Sequence, residues 1–445
     1  MCGPFLLLPQ TEEARVESGE ARAKMESKAN ITVSKRIEGD QDGDSTLFGG
    51  VLTSHADRIF EMTQCADQSI RFASLELVGH LLRQGQLNPN DAVPFLLALQ
   101  GDVNADHIRS LALKLLMTEG EKRPDMLRQR VCAGVKQAYS FQSTVYPGND
   151  EPSALLSVTV NGKLQVQCVF GPVFKECVMS VKKQRQGLYA NLLGLFDMES
   201  RRGEADGDRV NDATKQAMLA SIDLPLLAFA SQVLAHLPYG VASDPLFIIY
   251  QISTNLALEG PDLLDRLSAF LFKYGLSSND ELDESNAEED ILEGAAKLEV
   301  PHLAKELTVM KNRKFDMLQF VDLCCEAAAI TLLLRLKAFL RSVYNLSESR
   351  CLAFTPQEKS ADRIPLKASW MSPFDSSLPL NAYPKDVRDA DLDALILQYS
   401  EFRKRMREDV ASAETRLVDS DDEDEVIPPT STSKRKRAEA EIDSE

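Results

Sequence analysis

The chain has 445 residues, 44% apolar and 27% charged, a balance expected of a folded protein with a large buried core. Its formal net charge is −18, but three stretches hold all except one unit of it: residues 1–45 (net −3), 278–299 (−8) and 411–445 (−6). The acidity therefore belongs to linkers and a tail and does not argue against a nucleic-acid partner for the nearly neutral remainder.

The start, "MCGPFLLLPQTEE", has a short apolar run with no basic residue ahead of it and acids after it, which is not the pattern of a secretory signal. Eight cysteines, at 2, 65, 132, 168, 177, 324, 325 and 351, show no C-x-x-C and no paired spacing suited to zinc or a disulfide framework, so a reduced intracellular compartment is expected.

From residue 67 the pattern is helical. In "DQSIRFASLELVGHLLRQG" Asp67 is placed to cap a helix with Ile70, Ala73, Leu77, Val78, Leu81 and Leu82 recurring at three and four residues, and Gly85 to stop it. In "NPNDAVPFLLALQG" Asn90 is expected to cap a short helix with Pro94 in its first turn. "NADHIRSLALKLLMTEG" repeats the logic, with Ile108, Leu111, Ala112, Leu115 and Leu116 on one face and Gly120 as its end. "RPDMLRQRVCAGVKQAYSFQSTVY" then gives a longer amphipathic helix.

"SVTVNGKLQVQCVFGPVF" (Ser157 to Phe174) breaks the pattern: it alternates like two strands around Asn161-Gly162, a hairpin signal foreign to an all-helical protein. Two strands alone are rarely stable, so the segment reads as an irregular insertion, disordered or a marginal hairpin. Leu224 to Leu258 carries one charge, Asp244. Pro238, Gly240, Asp244 and Pro245 interrupt it before it reaches the ~20 apolar residues a bilayer span needs. It reads instead as a buried helical hairpin, "LPLLAFASQVLAH" and "PLFIIYQISTNLAL" joined by "LPYGVASDP". Helical hairpins recurring about every 40 residues, apolar on two faces, suit a stacked solenoid in which each pair is held by its neighbours.

No residue pattern supports catalysis. The five histidines (55, 80, 107, 236 and 302) have no metal-ligand spacing, and neither G-x-S-x-G nor G-x-x-x-x-G-K-[ST] occurs. Cys324 and Cys325 fall in an apolar helical run, where thiols act as small hydrophobes. No cofactor, metal or membrane is expected. Four basic clusters remain: "KKQR" (Lys182 to Arg185), "KNRK" (Lys311 to Lys314), "RLKAFLR" with Arg335, Lys337 and Arg341, and "RKRMR" (Arg403 to Arg407), expected to end the last helix. Such clusters are usually solvated faces; lined up on a curved solenoid they would instead form a track for phosphates, with Lys182, Lys183, Arg185, Arg335, Lys337 and Arg341 as the DNA-binding candidates. In the tail, Lys434, Arg435, Lys436 and Arg437 resemble a simple nuclear-import signal, and Ser420 ahead of "DDEDE" resembles an acidophilic-kinase site.

Several of these strings carry a family resemblance. "DQSIRFASLELVGHLLRQGQLNPNDAVPFLLAL" (Asp67 to Leu99) resembles the late repeats of the Nipped-B-like cohesin loaders, the sister-chromatid-cohesion-protein-two family, where S-V-R-x-x-A-L-x-x-I precedes Q-G-L-x-x-P and V-P-Y-L. Leu237, Pro238, Tyr239 and Asp244 to Ile248 are similar to that family's F-P-Y followed by E-P-L-F-I, "LLLRLKAFLRSVYNLSESR" to its L-L-L-x-L-K-x-x-L helix, and "LQYSEFRKRMRED" to its final Q-Y-x-x-F helix. The matches keep the family's order over roughly residues 50 to 410. The chain departs from the family's R-x-x-R-R ahead of "LLGLFD": Arg185 keeps one basic position, Gln186 replaces the next, and Lys182 compensates in part.

The resemblance implies an all-α, HEAT-type helical-repeat solenoid that loads the cohesin ring onto chromatin without being an enzyme itself. It would grip double-stranded DNA, the cohesin ATPase heads and the kleisin, stimulate cohesin's ATP hydrolysis, and serve sister chromatid cohesion and gene regulation in the nucleus. As a C-terminal portion, the chain is expected to lack the N-terminal region through which the family binds a tetratricopeptide-repeat partner. The expected organisation is a charged linker over 1–50, repeats over 51–150, the irregular insertion over 151–180 and repeats over 181–275. An acidic disordered loop over 276–300, C-terminal repeats over 301–410 and a disordered tail over 411–445 complete it. The residues leave a second function class open, a general nuclear helical-repeat adaptor that binds only proteins.

Overall fold

The computed structural model describes residues 54–146, 152–160, 163–197, 222–273, 317–358, 360–366, 373–378 and 392–419. Helix α1 (Ala56–Met62) leads into α2 (Gln68–Arg83), whose first turn is capped as its sequence predicts: the Asp67 carboxylate accepts from the Ser69 N–H. α2 ends at Gly85, which takes φ +69°, a left-handed conformation that costs glycine nothing. Helix α3 (Pro89–Ala98) starts two residues earlier than expected. Asn88, not Asn90, caps it, and Pro89 takes the first helical position, where a missing N–H leaves no bond unmade. Pro94 is therefore inside the helix and not in its first turn.

Helix α4 (Asp106–Lys122) runs past Gly120, since a glycine within a helix is only a mild penalty when the flanking turns pack. Helix α5 (Asp125–Val145) follows and lies along α3. The approach is close because Gly134 of α5 presents no side chain to α3: a Cβ there would sit 2.3 Å from Leu97 Cδ1.

Strands β1 (Leu155–Val160) and β2 (Lys163–Cys168) form an antiparallel hairpin in register Leu155 with Cys168 through Val160 with Lys163. Asn161 and Gly162 lie outside the described residues. The strands fall where the hairpin signal around Asn161-Gly162 placed them, and the alternative of an irregular, disordered insertion is corrected. The hairpin is not an isolated pair of strands, because Ala154, Leu156, Cys168, Val169 and Phe170 at its base are buried. The Ala154 N–H also donates to Gln232 Oε1 of the helix over Leu224–His236 at 2.9 Å. From Gly171 to Val178 the chain is helical again.

Helix α6 (Lys182–Leu193) is followed by α7 (Leu224–His236) and α8 (Ser243–Lys273), the two arms expected for the apolar stretch. The returning arm continues through Pro261 to 31 residues, well beyond Leu258. Helix α9 (Met317–Val343), the short α10 (Glu348–Ala353) and α11 (Leu392–Asp419) complete the described fold. α11 outruns its expected end: Arg403 to Arg407 lie mid-helix, and residues 411–419, assigned to the tail by composition, are helical.

Packing passes from one element to its successors. α2 lies on α4, α3 on α5, α5 on α6, α6 on α8, α8 on α9 and α9 on α11, while α7 packs on α5, on the hairpin and on α9. A single apolar core runs the length of this stack, from Ile59 and Phe60 to Phe402 and Met406. The arrangement is an all-α helical-repeat solenoid, with one small hairpin set into its side.

Candidate functional site

The charged residues of the stack are joined mainly to one another. Arg71, on the apolar side of α2, is almost completely buried. Its Nε donates to Asp102 Oδ2 at 3.0 Å, and one terminal nitrogen donates to the Cys65 and Ala66 carbonyls at 2.9 and 2.8 Å. Tyr146 donates to the second oxygen of Asp102 at 2.6 Å, and burial together with that carboxylate pushes the phenol up to about 12.

A second buried pair closes the middle of the stack. Arg185 on α6 donates from Nε to Asp244 Oδ1 at 2.8 Å and from a terminal nitrogen to the Met179 carbonyl at 2.6 Å. Asp244, the single charge of its long apolar stretch, is 2% exposed. Burial holds its carboxyl above the ordinary range, and Arg185 pulls the other way. Tyr189, Tyr239 and Tyr344 surround the pair, with Tyr239 edge-on to both other rings at 5.7 and 5.9 Å. The Tyr239 hydroxyl donates to the Leu234 carbonyl.

Over this junction passes a strap, residues 354–358 and 360–366. The Ala242 N–H donates to the Ile364 carbonyl at 2.9 Å and the Leu366 N–H to the Gly240 carbonyl at 3.2 Å. Lys182 reaches it as well, bonding Asp362 Oδ2 at 2.7 Å and the Glu358 carbonyl at 3.2 Å.

The seam between α9 and α11 is tied by charge at its rim. Arg335 forks onto Glu401 at 2.8 and 2.9 Å and bonds the Ser377 carbonyl at 2.7 Å. Lys337 bonds both oxygens of Asp409 at 2.7 and 2.9 Å, while Arg341 bonds Glu348 of α10 at 2.9 Å. Five of the six cations singled out as a phosphate track are thus paired with carboxylates of the chain itself. Arg185 is a correction to that grouping, since its buried guanidinium faces the core and not solvent. Lys183 is exposed and makes no ion pair among the described residues.

The remaining signals fall as follows. His236 is structural: its Nε2 accepts from the Phe374 N–H at 3.0 Å, which places the ring proton on Nδ1, and burial lowers its pKa. Cys168 and Cys325 are pushed up to about 12 by burial, so both stay as inert thiols. Among the described residues no group of three His, Cys, Asp or Glu is placed to hold a metal ion, and no helix is long and apolar enough to cross a membrane. Lys311 to Lys314, Ser420 and Lys434 to Arg437 lie outside the described residues.

Gln398 on α11 is 1% exposed, and neither end of its amide meets a protein partner. A buried amide in that position costs about 1–3 kcal/mol. Gln398→Leu is therefore expected to stabilise the chain by about that amount, seen as a higher urea midpoint at unchanged slope. A lower midpoint means the amide has a partner it depends on.

These packed repeats, held by interior arginine–carboxylate pairs, define an all-α helical-repeat protein. Residues 48–255, somewhat under half of the chain, match the family model described as sister chromatid cohesion C-terminus, and the chain is similar in sequence to Nipped-B proteins. Nipped-B-like protein A of Danio rerio is 24% identical over 243 residues, 54% of this chain and 9% of that protein. Nipped-B protein of Drosophila melanogaster is 20% identical over 380 residues, 82% of this chain and 16% of the relative. The chain thus spans less than a fifth of the length of these relatives. The C-terminal fragment of the Chaetomium thermophilum cohesin loader SCC2 aligns with 87% of this chain and 22% of its own at a TM-score of 0.44 and 10% identity, too loose a likeness to bear on the fold.

Many of the residues that carried the resemblance are interior, although Pro238 among them is exposed. Arg71, Leu237, Tyr239, Asp244, Leu246 to Ile248, Leu332, Leu336, Leu340, Gln398 and Phe402 are all buried. Arg71 belongs to no basic cluster that marks it in the sequence. The available signal was a lone cation on an apolar helix face, beside Ser74, Leu75 and Val78, which calls for a buried counter-charge.

Proposed function

We propose that the chain acts as the C-terminal part of a cohesin loader, a non-enzymatic helical scaffold that holds cohesin subunits and DNA together in the nucleus. The observation that supports this most strongly is the family match over residues 48–255. On this reading the partners are the cohesin ATPase heads and the kleisin, and the consequence of binding is faster ATP hydrolysis by cohesin. The tetratricopeptide-repeat partner of the family is expected to be engaged only by a region outside this chain. Lys434 to Arg437 would direct nuclear import, and Ser420 would be a phosphorylation site in the same tail.

The decisive measurement is ATP turnover by reconstituted cohesin with DNA, with and without this chain; unchanged turnover rules the reading out. DNA binding is expected to fall steeply with salt, since phosphate contacts act by releasing counterions. Lys183→Glu, at an exposed position, should weaken it and lower the salt slope by about one. A slope unaffected by that change takes Lys183 out of the interface.

The internal pairing of Lys182, Arg185, Arg335, Lys337 and Arg341 favours a second reading, a nuclear helical-repeat adaptor that binds proteins alone. A chain that shows no DNA binding at any moderate salt, yet retains protein partners, supports the adaptor.

A further inference from the structure

Near its start, after the buried Phe354, the strap that crosses the Arg185–Asp244 junction carries an exposed threonine followed by proline, Thr355-Pro356. It is one of two Ser/Thr-Pro pairs in the chain, and the other, Ser372-Pro373, has its serine outside the described residues. Thr355 opens a turn in which the Glu358 N–H donates to its carbonyl at 3.0 Å, so the two side chains leave the backbone within one turn of each other.

Glu358 is where the strap is fastened. Its carboxylate accepts from Arg350 of α10 at 2.7 Å, and its carbonyl accepts from Lys182 at 3.2 Å. Beyond it, Asp362 takes the same lysine, while Phe354 and Ala361 are buried beneath. Two cations, Lys182 and Arg350, balance two acids, Glu358 and Asp362. Both cations of this set are engaged, so a further double negative charge one turn from Glu358 competes for them, the strap's remaining described cation being the exposed Arg363 at the far side of Asp362.

We propose that Thr355 is a phosphorylation site for a proline-directed kinase, and that its phosphate draws Arg350 away from Glu358 and loosens the strap. In the modification the γ-phosphoryl group of ATP passes to Thr355 Oγ1. The new P–O bond forms as the β–γ bridge breaks, the hydroxyl proton goes to the kinase's base, and ADP leaves. The guanidinium favours the phosphate because a dianion offers three oxygens to its planar fork where Glu358 offers two. The released carboxylate is then repelled by its new neighbour. Nothing in this depends on the cohesin-loading reading.

The test uses the full chain, ATP and a purified proline-directed kinase. Phosphate is expected on Thr355 in the folded protein and to be absent from Thr355→Ala, which, being an exposed change, should melt with the parent. Trypsin cleavage after Arg363, an exposed strap residue, should then become about fivefold faster, the rise in open population expected when one solvent-accessible ion pair is lost. Thr355→Ala treated identically should be cut at the original rate. Failure of the folded chain to accept phosphate at Thr355 overturns the proposal, and so does phosphorylation that leaves cleavage after Arg363 unchanged.

Discussion

Arg185→Ala is expected to destabilise the chain by about 3–5 kcal/mol, because it strands the Asp244 carboxylate among three tyrosine rings without a counter-charge. The loss should be read from urea unfolding, and it should depend on pH in a defined direction. Burial already holds the Asp244 carboxyl above its ordinary value of 3.8, and Arg185 opposes the rise. With the arginine gone the folded-state value climbs further. An acid whose folded pKa exceeds its unfolded one stabilises the fold when protonated, fully below 3.8, and this contribution disappears as pH rises through the folded value. The gap between parent and Arg185→Ala should therefore be widest near neutrality and narrow as pH falls through that window. Adding Asp244→Asn to the arginine variant should recover part of the loss at neutral pH. A gap independent of pH, or a double variant no better than the single one, identifies lost packing and not the stranded charge as the cause.

Arg71→Ala should cost a similar amount, about 3–5 kcal/mol, at the other end of the stack. It leaves Asp102 buried and removes the donors that hold the Cys65 and Ala66 carbonyls between α1 and α2. Arg71→Lys is expected to recover only a fraction, since an ammonium on a flexible stem cannot serve the carboxylate and both carbonyls with one planar fork. The partner Tyr146 adds an alkaline signature. Its folded pKa of about 12 lies above its ordinary value of 10, so its contribution is intact below 10 and fades as pH rises towards 12. Tyr146→Phe should flatten stability across that window, measured against the parent at each pH. If Arg71→Ala unfolds at the parental urea midpoint, the Asp102 pair contributes no net stability.

Much of the fold was legible because apolar spacing and caps act locally. Asp67, Gly85 and the later part of the three-and-four spacing of α2, Leu77, Val78, Leu81 and Leu82, are borne out, but Ile70 at the head of that series is exposed and Arg71 takes the buried side in the first turn. The misplaced features are ones that tertiary packing decides. Gly120 does not stop α4, and α11 carries on past Arg407. The hairpin persists because its base is buried against α7, a contact made across more than sixty residues. The basic clusters were legible as charge but not as partners. Nothing local tells Lys337 that Asp409 lies beside it, or Arg335 that Glu401 does. Asp244 was the exception: a single carboxylate in a long apolar stretch calls for a buried cation, although the stretch alone does not say that Arg185 supplies it.

The interior position of Arg71 and of the Arg185–Asp244 pair sets what evolution is free to change. Drift that erased every outward contact would still be penalised for removing one partner of these ties alone, since that leaves a buried charge unpaired. A descendant that kept the shape and lost the occupation would carry the same signatures as one still employed, and the difference between the two would be written only on the outer surface, at positions such as Lys183.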